Sequence, residues 1–177
     1  MWRARPVIFI TVGTERFQFD RLLGALHRAK EDGRIADEVY AQTGSSKGSY
    51  PLFRCRKFYD LDEQINMMKE ADIIVAHAGI GSMLLCSSMG KIPVFFPRSS
   101  ACGEHFDDHQ MELAGKVSSL GKALVAFTED DLIDKVLNYK RLIADFKAVE
   151  NDKSKKNLIA YLRQICTPAN PPEDLSR

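Results

Sequence analysis

The chain has 177 residues, of which 45% are hydrophobic and 28% charged, the make-up of an ordinary globular protein. At roughly 100–200 residues per domain it forms a single domain, and a chain of this size buries about 70% of its unfolded surface without needing a disulfide or a metal. Its 25 Lys and Arg nearly balance 24 Asp and Glu, leaving a net charge of +1. That excludes a general attraction to nucleic acid or to an anionic membrane, so any partner is recognised locally.

Short apolar runs alternate with longer amphipathic segments, the pattern of a parallel sheet flanked by helices, so the expected fold class is α/β. Trp2 to Arg5 followed by Val7 to Ile10 imitates a secretory signal, but the run stops at Gly13 with no small-residue cleavage site. Val7 to Val12 instead reads as a first buried strand ending at Gly13-Thr14. Asp20 is placed to cap a helix whose Leu22, Leu23, Leu26 and Ala29 recur at helical spacing, with Gly33 near its end. Glu38 to Gln42 reads as a second strand, closed by the turn-rich Thr43 to Gly48. A weak strand around Cys55 to Tyr59 precedes a helix from about Asp62 to Ala71.

Asp72 opens the strongly apolar strand Ile73 to Ala76, which runs straight into His77-Ala78-Gly79-Ile80-Gly81-Ser82 and a helix to about Met89. Gly90-Lys91 ends that helix before a strand from Ile92 to Phe96. Pro97 to Phe106 is a polar loop, and a helix follows from about Asp108 to Ser118. Ala123 to Phe127 makes the last strand, Thr128 caps a helix through about Val149, and Ser154 to Ile165 forms one more. The segment from Thr167, with Pro168, Pro171 and Pro172, is expected to be disordered, which sets the domain at residues 1–166 and the tail at 167–177. No run approaches the roughly 20 apolar residues of a membrane span. Cys55, Cys86, Cys102 and Cys166 include no pair at the two-residue spacing of a zinc or redox motif, which favours reduced thiols in a cytoplasmic setting.

In open parallel sheets, ligands bind beyond the carboxyl ends of the strands. Four loops carry unusual residues at that edge: Gly13-Thr14, Thr43 to Gly48, His77 to Ser82, and Pro97 to Gln110. In the third, Gly79 and Gly81 clear side chains from a strand-to-helix turn, so the N–H groups of the new helix, with the Ser82 hydroxyl, can hold a phosphate; a tight turn with no ligand fits the same glycines. Neither a P-loop nor a complete dinucleotide fingerprint is present. The fourth loop packs Gly103, Glu104, His105, Phe106, Asp107, Asp108, His109 and Gln110 together. His105 and His109, four apart, fit a metal site only if they share a helix face. Asp108 fits a helix cap, and Asp108-x-Gln110 also fits recognition of paired sugar hydroxyls.

Read in order, His77-Ala78-Gly79-Ile80-Gly81-Ser82, Gly90-Lys91-x-Pro93, Pro97-Arg98, Gly103-Glu104-His105 and Asp108-His109-Gln110 resemble the C-terminal half of GT-B glycosyltransferases. More narrowly, the chain resembles the small cytosolic subunit of split glycosyltransferases. One branch serves eukaryotic dolichol-linked N-acetylglucosamine transfer and the other bacterial exopolysaccharide synthesis. Thr11-Val12-Gly13-Thr14 followed by Phe19-Asp20 fits as well, so the resemblance covers roughly Val7 to Ile165. Gly-Glu-His ahead of Asp-His-Gln favours the bacterial branch.

The resemblance implies a Rossmann-like sheet with helices on both faces and a UDP-sugar donor. Gly79, Gly81 and Ser82 would receive the diphosphate, whose developing charge the helix N-terminus stabilises without a metal or other cofactor. Asp108, His109 and Gln110 would face the donor sugar, and Arg98 would pair with a phosphate or a uronic acid carboxylate. Gly13 and Thr14 would lie where diphosphate and acceptor meet, and Thr43 and Gly44 would border the nucleotide. Glu104 and His105 complete the set assigned to UDP-sugar, and His77 and His105 are the weak candidates for a catalytic role, with His77 equally suited to shaping its turn. Many GT-B enzymes carry a ribose-binding Glu three residues after the glycine-loop serine; here that position is Leu85.

The implied activity is transfer of a hexose (glucuronic acid, glucose, galactose or N-acetylglucosamine) to a polyprenyl-diphosphate-linked acceptor. The acceptor half, and with it the catalytic base, would belong to a separate membrane-anchored partner that recruits this chain to the cytosolic face. The stripe Leu158, Ile159, Leu162 and Ile165 is a candidate docking element. A non-catalytic nucleotide-sugar-binding or scaffold module, or a stand-alone epimerase or hydrolase, fits the same fold.

Overall fold

The structure is a computed structural model and describes residues 6–119 and 123–147. The expected helix from Ser154 to Ile165 with its apolar stripe, Cys166, and the expected disordered tail lie outside the described residues.

Six strands form one sheet in which every pairing is parallel, in the order β3-β2-β1-β4-β5-β6. They are β1 (Val7–Thr11), β2 (Glu38–Gln42), β3 (Arg54–Arg56), β4 (Ile73–His77), β5 (Val94–Phe96) and β6 (Leu124–Val125). The helices are α1 (Asp20–Glu31), α2 (Leu61–Glu70), α3 (Ile80–Ser88), α4 (His109–Ser119), α5 (Glu129–Leu137) and α6 (Tyr139–Lys147). This is the expected α/β, Rossmann-like fold.

The helix placement follows from the handedness of parallel crossovers. Moving outward from β1 to β2 puts α1 on one face; moving the other way, from β3 to β4 to β5 to β6, puts α2, α3 and α4 on the opposite face. Two cores result. On the first face Ile8, Ile10, Val12, Val75 and Phe96 pack against Leu22, Leu23 and Leu26 of α1 and Leu132, Ile133 and Val136 of α5. On the second, Phe9, Ile74, Ala76 and Phe95 meet Met68 of α2, Met83 and Cys86 of α3, and Leu113 and Val117 of α4. The alternation of β1 between the two cores shows why both of its faces are apolar: a central parallel strand has no solvent side.

Three expectations change in detail. Asp20 does not cap α1. It is the first helical residue, and its carboxylate accepts bonds from the Lys47 and Gly48 amides at 3.1 and 3.0 Å and from the Tyr50 hydroxyl at 2.5 Å, pinning the β2–β3 loop. α2 starts one residue before the expected Asp62, because Asp60 caps it by accepting from Glu63 N–H at 2.8 Å. The single long helix expected after Thr128 is two: Thr128 does cap α5, through Asp131 N–H, but the helix ends at Leu137, Asn138 follows as its C-cap, and α6 starts at Tyr139. The Tyr139 hydroxyl then reaches back to the Ile92 carbonyl at 2.6 Å.

Candidate functional site

The strand order reverses between β1 and β4, so the loops leaving these strands diverge to opposite faces and open a crevice at the carboxyl edge. A cavity of about 430 Å3 occupies it. Gly13, Thr14 and Glu15 line it from the β1–α1 loop, residues 77–82 from the β4–α3 turn, and His109, Gln110 and Leu113 from α4.

The N-terminus of α3 opens on this cavity. Gly79 is its N-cap, with no side-chain cap, and its carbonyl accepts the first intrahelical bond from Met83 at 3.1 Å. The amides of Ile80, Gly81 and Ser82 therefore have no partner within the helix, and all three residues line the cavity. The first turn of α3 holds no acidic residue, so the positive end of the helix dipole is not neutralised locally. A Cβ at Gly81 would meet nothing within 4 Å; this glycine leaves open space for a ligand.

The other two glycines serve a different purpose. A Cβ on Gly13 would lie 2.6 Å from Cε1 of His77, and one on Gly79 would fall on its Nε2. The imidazole occupies the space that both missing side chains leave. Gly13 also has φ +78°, a left-handed conformation that glycine adopts at little cost. Its carbonyl accepts from the buried Gln42 amide at 2.9 Å and its amide donates to the Thr11 hydroxyl at 3.3 Å. Burial, followed by the nearby Arg98 charge, pulls the His77 pKa down to about 4, so the ring is neutral at physiological pH. It cannot serve as a standing positive charge for a phosphate.

The expected site residues divide sharply. Gly13, Thr14, His77, Gly79, Gly81, Ser82, His109 and Gln110 come together around the cavity. Gln110 is held by its carbonyl oxygen, which accepts from Arg98 N–H at 3.3 Å. Thr43, Gly44, Arg98, Glu104, His105 and Asp108 are not among the residues lining it. Thr43 and Gly44 extend the β2–β3 pairing through amide bonds of 2.9 Å to Arg56 and Lys57. Arg98 is fully buried, and its guanidinium donates to four main-chain carbonyls, those of Val12, Phe17, Gln18 and Glu104; it is not placed to pair with a phosphate or a uronic acid. Glu104, also fully buried, accepts two bonds from Arg21 and one from Ser99 N–H.

Asp108, expected to face the donor sugar, is exposed and does not line the cavity. Its carboxylate accepts from the Ser100 amide at 2.9 Å and hydroxyl at 2.8 Å, and these two bonds hold its pKa below the usual value. His105 precedes α4 and does not share a helix face with His109. It bonds the Asp107 carboxylate at 3.0 Å and stacks on Phe106. No group of three metal-ligating side chains occurs among the described residues.

Glu15, Gln64 and Leu113 line the cavity without having been singled out in the sequence. Gln64 projects from α2, and only the fold brings it beside the β4–α3 turn. Leu85, noted as a departure, does line the cavity, with no carboxylate at that point.

The chain is a doubly wound α/β domain whose uncapped α3 N-terminus faces a crevice at the switch point, the edge at which folds of this class bind their ligands. The family model "Glycosyltransferase family 28 C-terminal domain" matches residues 7–164. The chain belongs to this family. Comparison with curated proteins gives no significant match. Among solved structures, it is similar to the glycotransferase of kitacinnamycin (TM-score 0.56, 17% identity), covering 93% of this chain and 41% of that one. It is similar also to MurG of Acinetobacter baumannii (TM-score 0.56, 15% identity; 92% and 51% covered). The solution structure of ALG13 matches with TM-score 0.52 and 19% identity over 76% of this chain and 85% of that one. The fold is thus that of a GT-B C-terminal domain, and the chain spans about half the length of the first two structures or less.

Proposed function

We propose that this chain is the UDP-sugar-binding component of a two-component glycosyltransferase that transfers a hexose to a polyprenyl-linked acceptor. The observation that carries this reading is the N-terminus of α3, uncapped and free of acidic residues, opening on the switch-point cavity beside a vacant Gly81. Family membership supplies the chemistry: a nucleotide-sugar donor whose diphosphate becomes the leaving group. Amides of residues 80–82 and the Ser82 hydroxyl accept the charge that develops as the glycosidic bond breaks, an electrostatic contribution made by a preorganised dipole. The Gln110 side-chain NH2, left free when its carbonyl is held, is the donor available to a sugar hydroxyl. His77, neutral and wedged between glycines, shapes the turn. The base that deprotonates the acceptor hydroxyl and the acceptor site itself lie on the partner, at the membrane.

The test is a titration of 15N-labelled protein with UDP and a panel of UDP-sugars. Amide shifts centred on Gly81, Ser82 and Gln110 are expected. A panel that moves no resonance would overturn the reading.

A further inference from the structure

We infer that Arg98 is a positioning residue, one that locks the β1–α1 loop to the β5–α4 loop and so fixes the distance between two walls of the cavity. The inference rests on the reading of that cavity as the donor site, and it concerns what holds the site rather than what it holds.

Arg98 heads the largest fully buried side chains, at 0% exposure. Its Nη2 donates to the Val12 carbonyl at 2.7 Å; its Nη1 donates to those of Gln18 at 2.9 Å, Glu104 at 3.0 Å and Phe17 at 3.3 Å. The guanidinium carbon stands 4.6 Å from the centre of the Phe19 ring. Arg21 repeats the pattern from the other side. Arising from α1, it clasps the buried Glu104 carboxylate through Nε at 2.9 Å and Nη2 at 2.7 Å, and donates also to the Pro97 carbonyl at 3.0 Å. One arginine from each segment therefore crosses to the other.

Burying a guanidinium against neutral carbonyls is costly, and an apolar side chain would fill the volume at lower cost. A rigid fork of five donors does what an apolar group cannot: it selects one arrangement of the loops that bear the carbonyls. The first of those loops lines the cavity, and the second leads directly into α4, which lines it too. Val12 precedes Gly13, whose neighbours Thr14 and Glu15 line one wall, and the Arg98 amide holds the Gln110 side chain of another.

The experiment compares Arg98→Lys with Leu132→Ala, a destabilising change in the α5 core at a residue that does not line the cavity. Two quantities are read: amide hydrogen exchange at residues 13–15 in the free protein, and the Kd for UDP. In Arg98→Lys the loop amides are expected to exchange at least about tenfold faster relative to β4 amides, with Kd weakened about tenfold or more. In Leu132→Ala both should stay as in the wild type at a comparable loss of stability. If Arg98→Lys shows the Leu132→Ala pattern, Arg98 is only a packing element and the inference is wrong. Should Arg98→Lys not fold, Arg21→Lys, which keeps the charge of a partly exposed side chain but loses the two-pronged bond, carries the same two expectations. Wild-type protein that fails to bind UDP would count against the donor-site reading alone, because loop exchange still decides the role of Arg98.

Discussion

At the scale of single residues, the contact between His77 and its flanking glycines gives the sharpest consequences. Three glycines lie around one cavity, yet only two are required by the fold. Gly13→Ala would press a Cβ to 2.6 Å from the imidazole in a backbone with φ +78°, and Gly79→Ala would strike the same ring. Each should lower stability by about 2–3 kcal/mol. Gly81→Ala meets open space in a helical first turn and should leave stability unchanged or raise it by up to about 1 kcal/mol. Urea unfolding of the three variants separates them; a Gly81→Ala loss as large as the others would contradict the geometry. The buried imidazole adds a pH dependence. Its pKa falls from 6.5 to about 4 on folding, so between those values the unfolded chain binds more protons than the folded one. Stability should therefore decline as pH drops from about 6.5 to about 4, by something on the order of 3 kcal/mol from this group. Replacing His77 with Gln should flatten the stability profile over that window, whatever the variant does to stability at pH 7. An unchanged profile would show that His77 titrates normally.

At the scale of elements, α3 matters most because its dipole faces the cavity without a capping carboxylate. Gly81→Asp places an anion within the first turn, where it favours the helix but opposes a diphosphate. The expected result is equal or greater thermal stability with UDP affinity reduced at least about tenfold, read by calorimetry; undiminished binding would remove α3 from the donor site. This element was legible in the sequence, since the short β-branched run Ile73 to Ala76, followed closely by Gly79 and Gly81, reads as a strand buried on both faces and puts Gly79 to Ser82 beyond its carboxyl end. β1, β2 and β4 were legible for the same reason. β3 was faint because all three of its residues are exposed at the sheet edge. What a loop side chain does was not legible. Arg98 and Glu104 look like solvated charges or ligand contacts until the fold brings Val12, Phe17, Gln18 and Arg21 against them across some 80 positions of chain. Polar residues in loops acquire their roles from long-range contacts that no local pattern encodes. Gln64 entered the cavity by the same route.

At the scale of the whole molecule, the proposed two-component reading requires a second wall to complete the cavity. Its volume of about 430 Å3 is in the lower part of the range for pockets that enclose a drug-sized ligand, too little to enclose a nucleotide sugar and a lipid-linked acceptor together. Its titratable side chains are His77, which is buried and weakly basic, and Glu15 and His109, which are exposed to bulk water. Glycosyl transfer rather than hydrolysis requires water to be kept from the donor, and a cavity lined in part by exposed Thr14, Glu15 and His109 does not do that by itself. No helix among the described residues is long and apolar enough to cross a membrane. The purified chain is therefore expected to bind UDP-sugar yet transfer no sugar to a polyprenyl-diphosphate-linked acceptor. Transfer should appear on addition of membranes that carry the acceptor-binding subunit, and Gly81→Asp should remove most of it while leaving association with those membranes intact. Efficient transfer by the isolated chain in detergent would show that one domain suffices and would overturn the two-component reading, whereas transfer in the mixture that is indifferent to Gly81→Asp would place the donor site on the other subunit.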